Sequence, residues 1–406
     1  MKLTTKGDFH LTYCTNIHPG ESWQQVFTNL KSYLPKLKAR LSPSAPFGVG
    51  LRLADLAARE LLQGDRLEQF KLWLERENLY VFTLNGFPYG GFHHQVVKDK
   101  VYAPDWSSSE RLEYTLRLVK ILAFLLPSEM DGGISTLPLS YKPWWQNNIE
   151  ARQTVYRQSS INLALLTAEM MDVRAETGKL LHIDLEPEPD GLLENTDEVI
   201  EFFEQWLLPH GGAYLARHKG ISPELAEFQL RKHICLCYDT CHFAVEYENP
   251  ATVFSRLPAA GIKIGKIQLS AAVEVQLGAD IIAKKAIARR LLPFAESTYL
   301  HQVIEHYRNG ELNHYNDLSE ALPDLEQSEA ERWRIHFHVP LFVREYHLLQ
   351  STQKDLIAVL DLLSENPICQ HLEIETYTWE VLPSAMKKDL LTSIQQEYEW
   401  VLSAIG

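Results

Sequence analysis

Cysteine is scarce in this chain: there are five in 406 residues, an odd number. That excludes a disulfide framework. Cys235, Cys237 and Cys241 cluster, while Cys14 and Cys369 stand alone, a pattern that fits a reducing compartment and is read as a cytoplasmic location. Met1 to His10 holds no apolar stretch after its lysines, so no signal peptide is expected. No apolar run approaches the roughly 18 residues needed to cross a bilayer, so no membrane span is expected. Basic residues are also short. Lys and Arg number 39 against 53 Asp and Glu, a formal net charge of -14. Nucleic-acid binding rests mostly on cations neutralising phosphates, so nucleic acid is not an expected partner. Internal repeats and low-complexity tracts are absent. The GxGxxG turn after a first strand is missing too, which argues against an open dinucleotide-binding sheet. What is present is 45% hydrophobic and 23% charged residues, enough apolar material for a large core and unlike a disordered chain.

A short apolar run ending in polar residues recurs eight times, with helical patterns between. The runs are Leu11 to Asn16, Phe47 to Leu53, Tyr80 to Gly86, Gly133 to Leu139, Leu180 to Pro187, His233 to Asp239, Ile264 to Ser270 and His371 to Tyr377. Several are apolar on both faces, as strands covered on both sides must be. Helical patterns cover Glu68 to Arg76, Glu110 to Phe124, Asn147 to Glu176, Leu356 to Leu363 and Ala385 to Ala404. Another runs from Pro223 to Arg231 behind Ser222, a serine-then-proline start that suits an N-cap and first helical position. Alternating strands and helices imply parallel strands with right-handed crossovers. Eight of them predict one (β/α)8 TIM barrel spanning residues 1–406. About a hundred residues separate the seventh and eighth runs, far more than an ordinary connection. Residues 272–340 are expected to form an elaborated loop over the active face, able to act as a lid. Helical patterns near Ile281 to Leu292 and Ser297 to Arg308 predict that the insertion is helical.

In such a barrel the chemistry sits at the C-terminal ends of the strands. The fifth strand ends in Glu186, the sixth in Asp239 with His242 three residues on, the seventh carries Gln268, and the eighth ends in Glu375. Carboxylates converging in a barrel mouth must stay partly protonated or hold a cation. A divalent metal resolves that conflict, and mixed oxygen and imidazole donors suit manganese, zinc, cobalt, magnesium or iron. The alternatives are ordinary ones: a strand-end carboxylate can cap a helix, and Asp239 to His242 can be a capping turn. His336 and His338 put two imidazoles on one side of an extended segment, which suits a metal or a pair of packed, hydrogen-bonded rings. Cys235 and Cys237 read as small buried strand residues, with soft ligation the alternative. His182 and Asp184 point inward with Glu186 by alternation and belong to the barrel core or behind the site. Asn16, His18, Arg52, Asn85, His93 and Trp144 follow the first four strands and are candidate substrate contacts, the loop from Asn85 to His94 joining glycines to aromatics.

A Glu on strand five, Asp-x-x-His after strand six, an amide on strand seven and a Glu on strand eight resemble the xylose isomerase-like barrels. These include metal-dependent sugar isomerases and epimerases, inosose dehydratase-type enzymes and endonuclease IV. The stretch Tyr238-Asp239-Thr240-Cys241-His242 is similar to one in endonuclease IV, and Ile374-Glu375-Thr376 resembles its last metal carboxylate. The resemblance implies metal ligation by Glu186, Asp239 and Glu375, with His242 on a further metal or on substrate. Gln268 stands where the family usually offers His, and no His occupies Asn85 or Ser135, which weighs against a three-metal nuclease site. His336 and His338 fall where endonuclease IV has an Asp-x-His pair, which implies a possible second ion. Over most of the chain, Leu11 to Gly20, Asn85 to Gly90 and Leu185 to Pro189 resemble the EboE-type metabolite traffic proteins. That resemblance implies a bacterial small-molecule pathway, with other ebo-cluster proteins as partners. The expected function is a metal-dependent isomerase or epimerase acting on a sugar, sugar phosphate or cyclitol. Glu186 and Glu375 would exchange the proton and His242 would orient a substrate oxygen. A non-catalytic metabolite-binding or scaffold barrel and a metal-dependent phosphoesterase are the alternatives.

Overall fold

A computed structural model of the chain describes residues 1–4, 8–383, 386–387 and 389–405. Eight parallel strands form its centre: β1 (Phe9–Tyr13), β2 (Phe47–Arg52), β3 (Leu79–Asn85), β4 (Gly132–Thr136), β5 (Leu181–Leu185), β6 (Ile234–Asp239), β7 (Ile264–Leu269) and β8 (His371–Ile374). Each coincides with one of the apolar runs. Neighbours in the chain are neighbours in the sheet, and β8 returns to pair with β1 in parallel, His371 opposite His10. Closure between β1 and β2 uses side chains as well as backbone. Thr12 Oγ1 donates to Gly48 O at 3.0 Å and accepts from Gly50 N at 2.7 Å, and a parallel bridge joins Cys14 to Gly50. The sheet is therefore a closed barrel, and its strands are buried almost throughout.

Helices cover the outside. The Trp23–Leu41 helix starts at Ser22, which exchanges hydrogen bonds with Gln25 as a capping box. The Pro223–His233 helix starts at Ser222 as its sequence predicts, with the Leu225 N–H on the serine oxygen. The last helix, Leu390–Ile405, begins later than expected; the predicted start at Ala385 lies outside the described residues. Among the described residues no helix is long and apolar enough to cross a membrane. All five cysteines are buried and unpaired.

The long connection between β7 and β8 differs from the helical expectation. It holds helices at Ile281–Leu291, Leu318–Ala321 and Gln353–Glu365, but is built on a six-stranded antiparallel sheet. In order, its strands are Leu312–Tyr315, Val303–His306, Arg332–Ile335, Val273–Gln276, Leu349–Ser351 and Glu345–Tyr346. The sheet thus runs past Pro340. The stretch predicted as a helix from Ser297 to Arg308 is a strand at Val303–His306, paired on both sides with remote segments. Long-range pairing overrides a local apolar spacing that also fits a helix. The sheet grows directly out of the barrel, since Val273 lies just past the end of β7. Its strand Arg332–Ile335 pairs with Val273–Gln276 and with Val303–His306, so the chain leaving Ile335 is delivered back to the C-terminal mouth. One apolar core runs through both parts, from Leu372 and Leu269 in the barrel to Trp333 and Phe337 in the insertion.

Candidate metal centre

Glu186, Asp239, His242 and Glu375 all lie at the C-terminal mouth, buried to 5% exposure or less. Asp239 closes β6 and begins the short Thr240–Val245 helix. Its Oδ1 accepts from the N–H groups of Cys241 and His242, at 2.8 and 3.1 Å, and from Ser270 Oγ at 2.6 Å. Asp239 therefore does serve as a cap, and the cap fixes His242 against the site. Gln268 of β7 has only acceptors on one side, so its amide nitrogen belongs there, 2.8 Å from Glu186 Oε1 and 3.2 Å from Asp239 Oδ2. In that orientation it offers those carboxylates N–H groups rather than the oxygen lone pair a metal ligand needs.

His336 and His338 arrive from the insertion sheet and join His242. The ring centroid of His242 is 4.6 Å from that of His336 and 5.5 Å from that of His338. Each ring is anchored by Nδ1. His242 Nδ1 donates to Pro187 O at 3.1 Å, and His338 Nδ1 to Glu375 O at 2.7 Å. His336 Nδ1 donates to Gln302 Oε1 at 2.8 Å, and Gln302 Nε2 donates in turn to Pro189 O, which fixes the amide orientation. With Nδ1 protonated and bonded outward, Nε2 is the lone-pair nitrogen of the neutral His242 and His336 rings, and it is the position at which His338 would exchange its second proton for an ion. Nε2 of His336 and of His338 is buried without a partner, and so is Oε1 of Glu188. Buried polar atoms are normally satisfied, so three such atoms in one place point to a missing partner.

Two overlapping triplets result, Asp239 with His242 and His338, and Glu188 with His242 and His336. In each, the candidate ligand atoms lie within 4.8 Å of one another. A third triplet joins Cys241 to His336 and His338. Imidazole nitrogen and carboxylate oxygen suit a borderline divalent ion such as zinc, cobalt, iron or manganese, so the donor set fits a metal. Neither Glu186 nor Glu375 falls in such a triplet among the described residues, yet both face the same cavity.

The electrostatics follow from burial. Desolvation, reinforced by the carboxylates of Glu375, Asp239 and Glu188, pushes Glu186 well above the usual range. Burial likewise lifts Asp239, and it raises Glu188 to about 8 and Asp190 to about 7. Burial, then the neighbouring His338, depresses His242 to about 3, and burial likewise lowers His336. For His338 burial acts downward too, but the facing Cys241, Asp239 and Glu375 outweigh it and its pKa rises. Beneath the mouth, Lys266 pairs with Glu373, both fully buried in the barrel, and its charge draws Glu186 partly back down.

A cavity lies above these residues. Glu186, Glu188, His242, His336 and Glu375 form its polar wall; Phe87, Phe92, Tyr299 and Tyr377 face them. Two of the expected substrate contacts reach it. Asn16 lines the cavity and donates from Nδ2 to Glu375 Oε1 at 2.7 Å; Asn85 lines it and caps its own loop through the Phe87 N–H. Four do not line it. Arg52 Nη1 donates to Gly20 O and to Glu21 Oε1, at 2.9 and 3.2 Å. Glu21 then receives the Gly91 N–H, so Arg52 stiffens the loop behind Phe92. His18 is bonded to Tyr13 OH at 2.9 Å and lies on Tyr33. His93 packs behind Phe92. Trp144 is 39% exposed, with Nε1 on Asp99. Glu188, Gln302, Tyr102, Tyr299 and Tyr377 were not singled out from sequence. Glu188 stood in the open, in the run Glu186-Pro187-Glu188-Pro189, whose prolines hold successive carboxylates toward one mouth.

No protein-family model matches the chain, and no curated protein matches it significantly. Among solved structures, a D-tagatose 3-epimerase-like protein superposes with a TM-score of 0.48 at 10% identity, covering 98% of each chain. An IOLI protein with a bound zinc atom gives 0.48 at 13% identity, again covering 98% of each. A xylose isomerase domain protein from Alicyclobacillus acidocaldarius subsp. acidocaldarius gives 0.47 at 9% identity, covering 97% of this chain and 98% of that one. At such distances the function of this chain has to rest on its own side chains.

Proposed function

We propose that this chain is a metal-dependent isomerase or epimerase of a small polyhydroxylated molecule: a sugar, sugar phosphate or cyclitol. The observation that carries the proposal is the trio of imidazoles anchored through Nδ1 at the barrel mouth, two of which, His242 and His336, line the cavity that Glu186 and Glu375 share. Asp239, His338, His336, Glu188 and His242 would hold one or two divalent ions, which would supply Lewis-acid polarisation of a substrate carbonyl. Glu186 and Glu375 then remain free for proton work. Burial and neighbouring carboxylates keep Glu186 protonated far above the usual range, which suits a group that holds and returns a proton near neutral pH. Glu375 keeps its orientation through Asn16 Nδ2 on one oxygen, with His338 Nδ1 3.1 Å from the other. One carboxylate takes the proton from the carbon beside the carbonyl, and the other delivers a proton to that carbon or its neighbour. Asn16 orients a substrate oxygen, while His242, expected from sequence to do so, has one ring nitrogen on Pro187 O and the other left for the ion. The aromatic wall of Phe87, Phe92, Tyr299 and Tyr377 excludes water and stacks on the substrate's apolar face. The insertion supplies Tyr299, Gln302 and His336 and so completes the site as well as covering it. Placement in an ebo-type metabolite pathway belongs to the same proposal and is supported by the sequence resemblance alone.

Incubation with ketoses, aldoses and inososes in heavy water, with manganese or cobalt added, tests this reading. The expected result is one deuterium at the carbon next to the carbonyl of a turned-over substrate, read by mass spectrometry. Tight binding of such compounds with no exchange at any carbon would instead establish a binding barrel without chemistry.

A further inference from the structure

The opposite, N-terminal end of the barrel holds a second cluster that the proposed reaction does not use. His182 and Asp184 of β5 point into the barrel, where Gly133 of β4 and Gly265 of β7 leave room for them. A Cβ at those glycines would fall 2.3 Å and 2.0 Å from the Asp184 carboxylate. His182 Nδ1 lies 2.6 Å from Asp184 Oδ1, so this fully buried carboxylate takes the ring N–H and leaves Nε2 facing outward. There it meets Asp131, whose Oδ2 is 3.8 Å away. His371 opens β8 and stacks on His182, with ring centroids 5.6 Å apart. Its Nε2 is 3.1 Å from Asp131 Oδ1, an ion-pair contact when the ring is protonated. Neither of its ring nitrogens has a hydrogen-bond partner, although the residue is only 2% exposed. Ligand atoms of Asp131, His182 and His371 all lie within 4.8 Å of one another. The cluster opens on a cavity that Cys235, Lys232 and Lys263 also line.

We infer that this lower mouth is a second divalent metal site, with Asp131, His182 and His371 as ligands and Asp184 as the group that orients His182. A purely structural histidine cluster satisfies its ring nitrogens with protein partners; here His371 Nδ1 has none, and Nε2 has only the ion-pair contact with Asp131. An imidazole whose far nitrogen donates to a buried carboxylate is the usual form of a metal-binding histidine. Two imidazoles and a carboxylate suit zinc or cobalt, with solvent completing the shell. Lys263 opposes a cation there, but Asp131 and Asp184 outweigh it. Binding ties the loop before β4 to the starts of β5 and β8, a clamp at the end of the barrel away from the chemistry. This inference is independent of the proposed reaction.

The test loads the full-length, chelator-stripped protein with zinc alone and measures equivalents retained after desalting. A His336→Gln/His338→Gln protein, with the upper mouth disabled, is expected to keep one equivalent. Asp131 is 42% exposed, so Asp131→Asn should fold, as circular dichroism will show. On either background Asp131→Asn is expected to weaken one zinc equivalent by at least about tenfold, and Asp131→Asn/His371→Gln to abolish it. Cobalt in place of zinc should show d–d absorption bands that disappear in the same variants. Unchanged zinc uptake in the Asp131→Asn/His371→Gln protein would overturn the inference, as would no zinc retained once the upper histidines are gone. Loss of metal in the upper-site variants alone speaks to the other mouth and leaves these two outcomes distinct.

Discussion

Glu186→Gln is expected to lower turnover of the accepted substrate by about 10²–10⁴-fold, the usual contribution of a positioned general acid or base, while leaving the fold intact or more stable. Glutamine keeps the shape of the side chain and can still accept from Gln268 Nε2, which stands 2.8 Å away. What it loses is the ability to take or return a proton. It also removes a carboxyl group that burial and the neighbouring Glu375, Asp239 and Glu188 hold far from its ordinary ionisation, so the melting temperature should hold or rise. The same substitution at Glu375 should give a similar loss of rate, with a smaller gain in stability because Asn16 already satisfies one of its oxygens. Falling activity with constant or rising stability is what a residue retained for chemistry shows. The pair is informative in heavy water. If one carboxylate abstracts and the other delivers, the variant lacking the abstracting group should stop both exchange and product formation, whereas the variant lacking the delivering group should stop product formation and still exchange deuterium into the substrate. Full activity in both variants would end the assignment of proton transfer to these two groups.

The metal-free protein should lose stability as pH rises above neutrality, and a bound divalent ion should suppress that loss. Burial raises Glu188 to about 8 and Asp190 to about 7. In the unfolded chain both are ordinary carboxyls that ionise near pH 4. Between those limits the folded state binds more protons than the unfolded one, so stability is full below the unfolded value and is lost as pH rises through the folded value. His242, depressed to about 3 by burial and by His338, works in a separate window. Its neutral folded form favours the native state above about pH 6.5 and costs stability only as pH falls below that. From pH 6.5 to 8.5 the carboxyls therefore dominate. Melting of the chelator-treated protein is expected to drop by about 3–5 °C across that range, since one pK unit is worth about 1.4 kcal/mol. With manganese or zinc present the same scan should be nearly flat, because the ion takes the proton's place on Glu188. A metal-free protein that is more stable at pH 8.5 than at 6.5 would contradict this charge arrangement.

The barrel strands were legible because each is a short apolar run that ends where the chain meets solvent or substrate, and Gly-rich or polar residues mark that end. Closure could be inferred from the count of eight but not seen, since Thr12 grips Gly48 and Gly50 across a seam with no sequence signature. The insertion was misread for a definable reason. Leu300, Val303, Ile304 and Tyr307 have the spacing of a helix face, and the strands that claim Val303–His306 lie elsewhere in the sequence at Leu312–Tyr315 and Arg332–Ile335. That error hid Gln302, whose side chain sets the tautomer of His336. Glu186, Asp239, His242 and Glu375 were legible as strand ends, and His336 and His338 as an alternating pair. Glu188 was not, because nothing periodic distinguishes a turn carboxylate from a solvated one. Arg52 and His18 sit at the right depth in the chain, but Glu21 and Tyr13 are close at hand and hold them away from the cavity. The lower cluster escaped notice because Asp131 and His371 stand at the starts of strands, the end where barrels do not keep their chemistry.

The most direct test of the account is the divalent metal content of the purified, tag-free protein beside Asp239→Asn and His338→Gln, before and after loading with manganese, cobalt or zinc. The upper mouth predicts about one or two equivalents there in the wild type. Each variant should lose at least one of them, and Glu186→Gln should lose none. Wild-type protein that takes up no metal, or variants that bind as much as wild type, would contradict a metal centre at this mouth and leave a barrel that binds its metabolite without a metal.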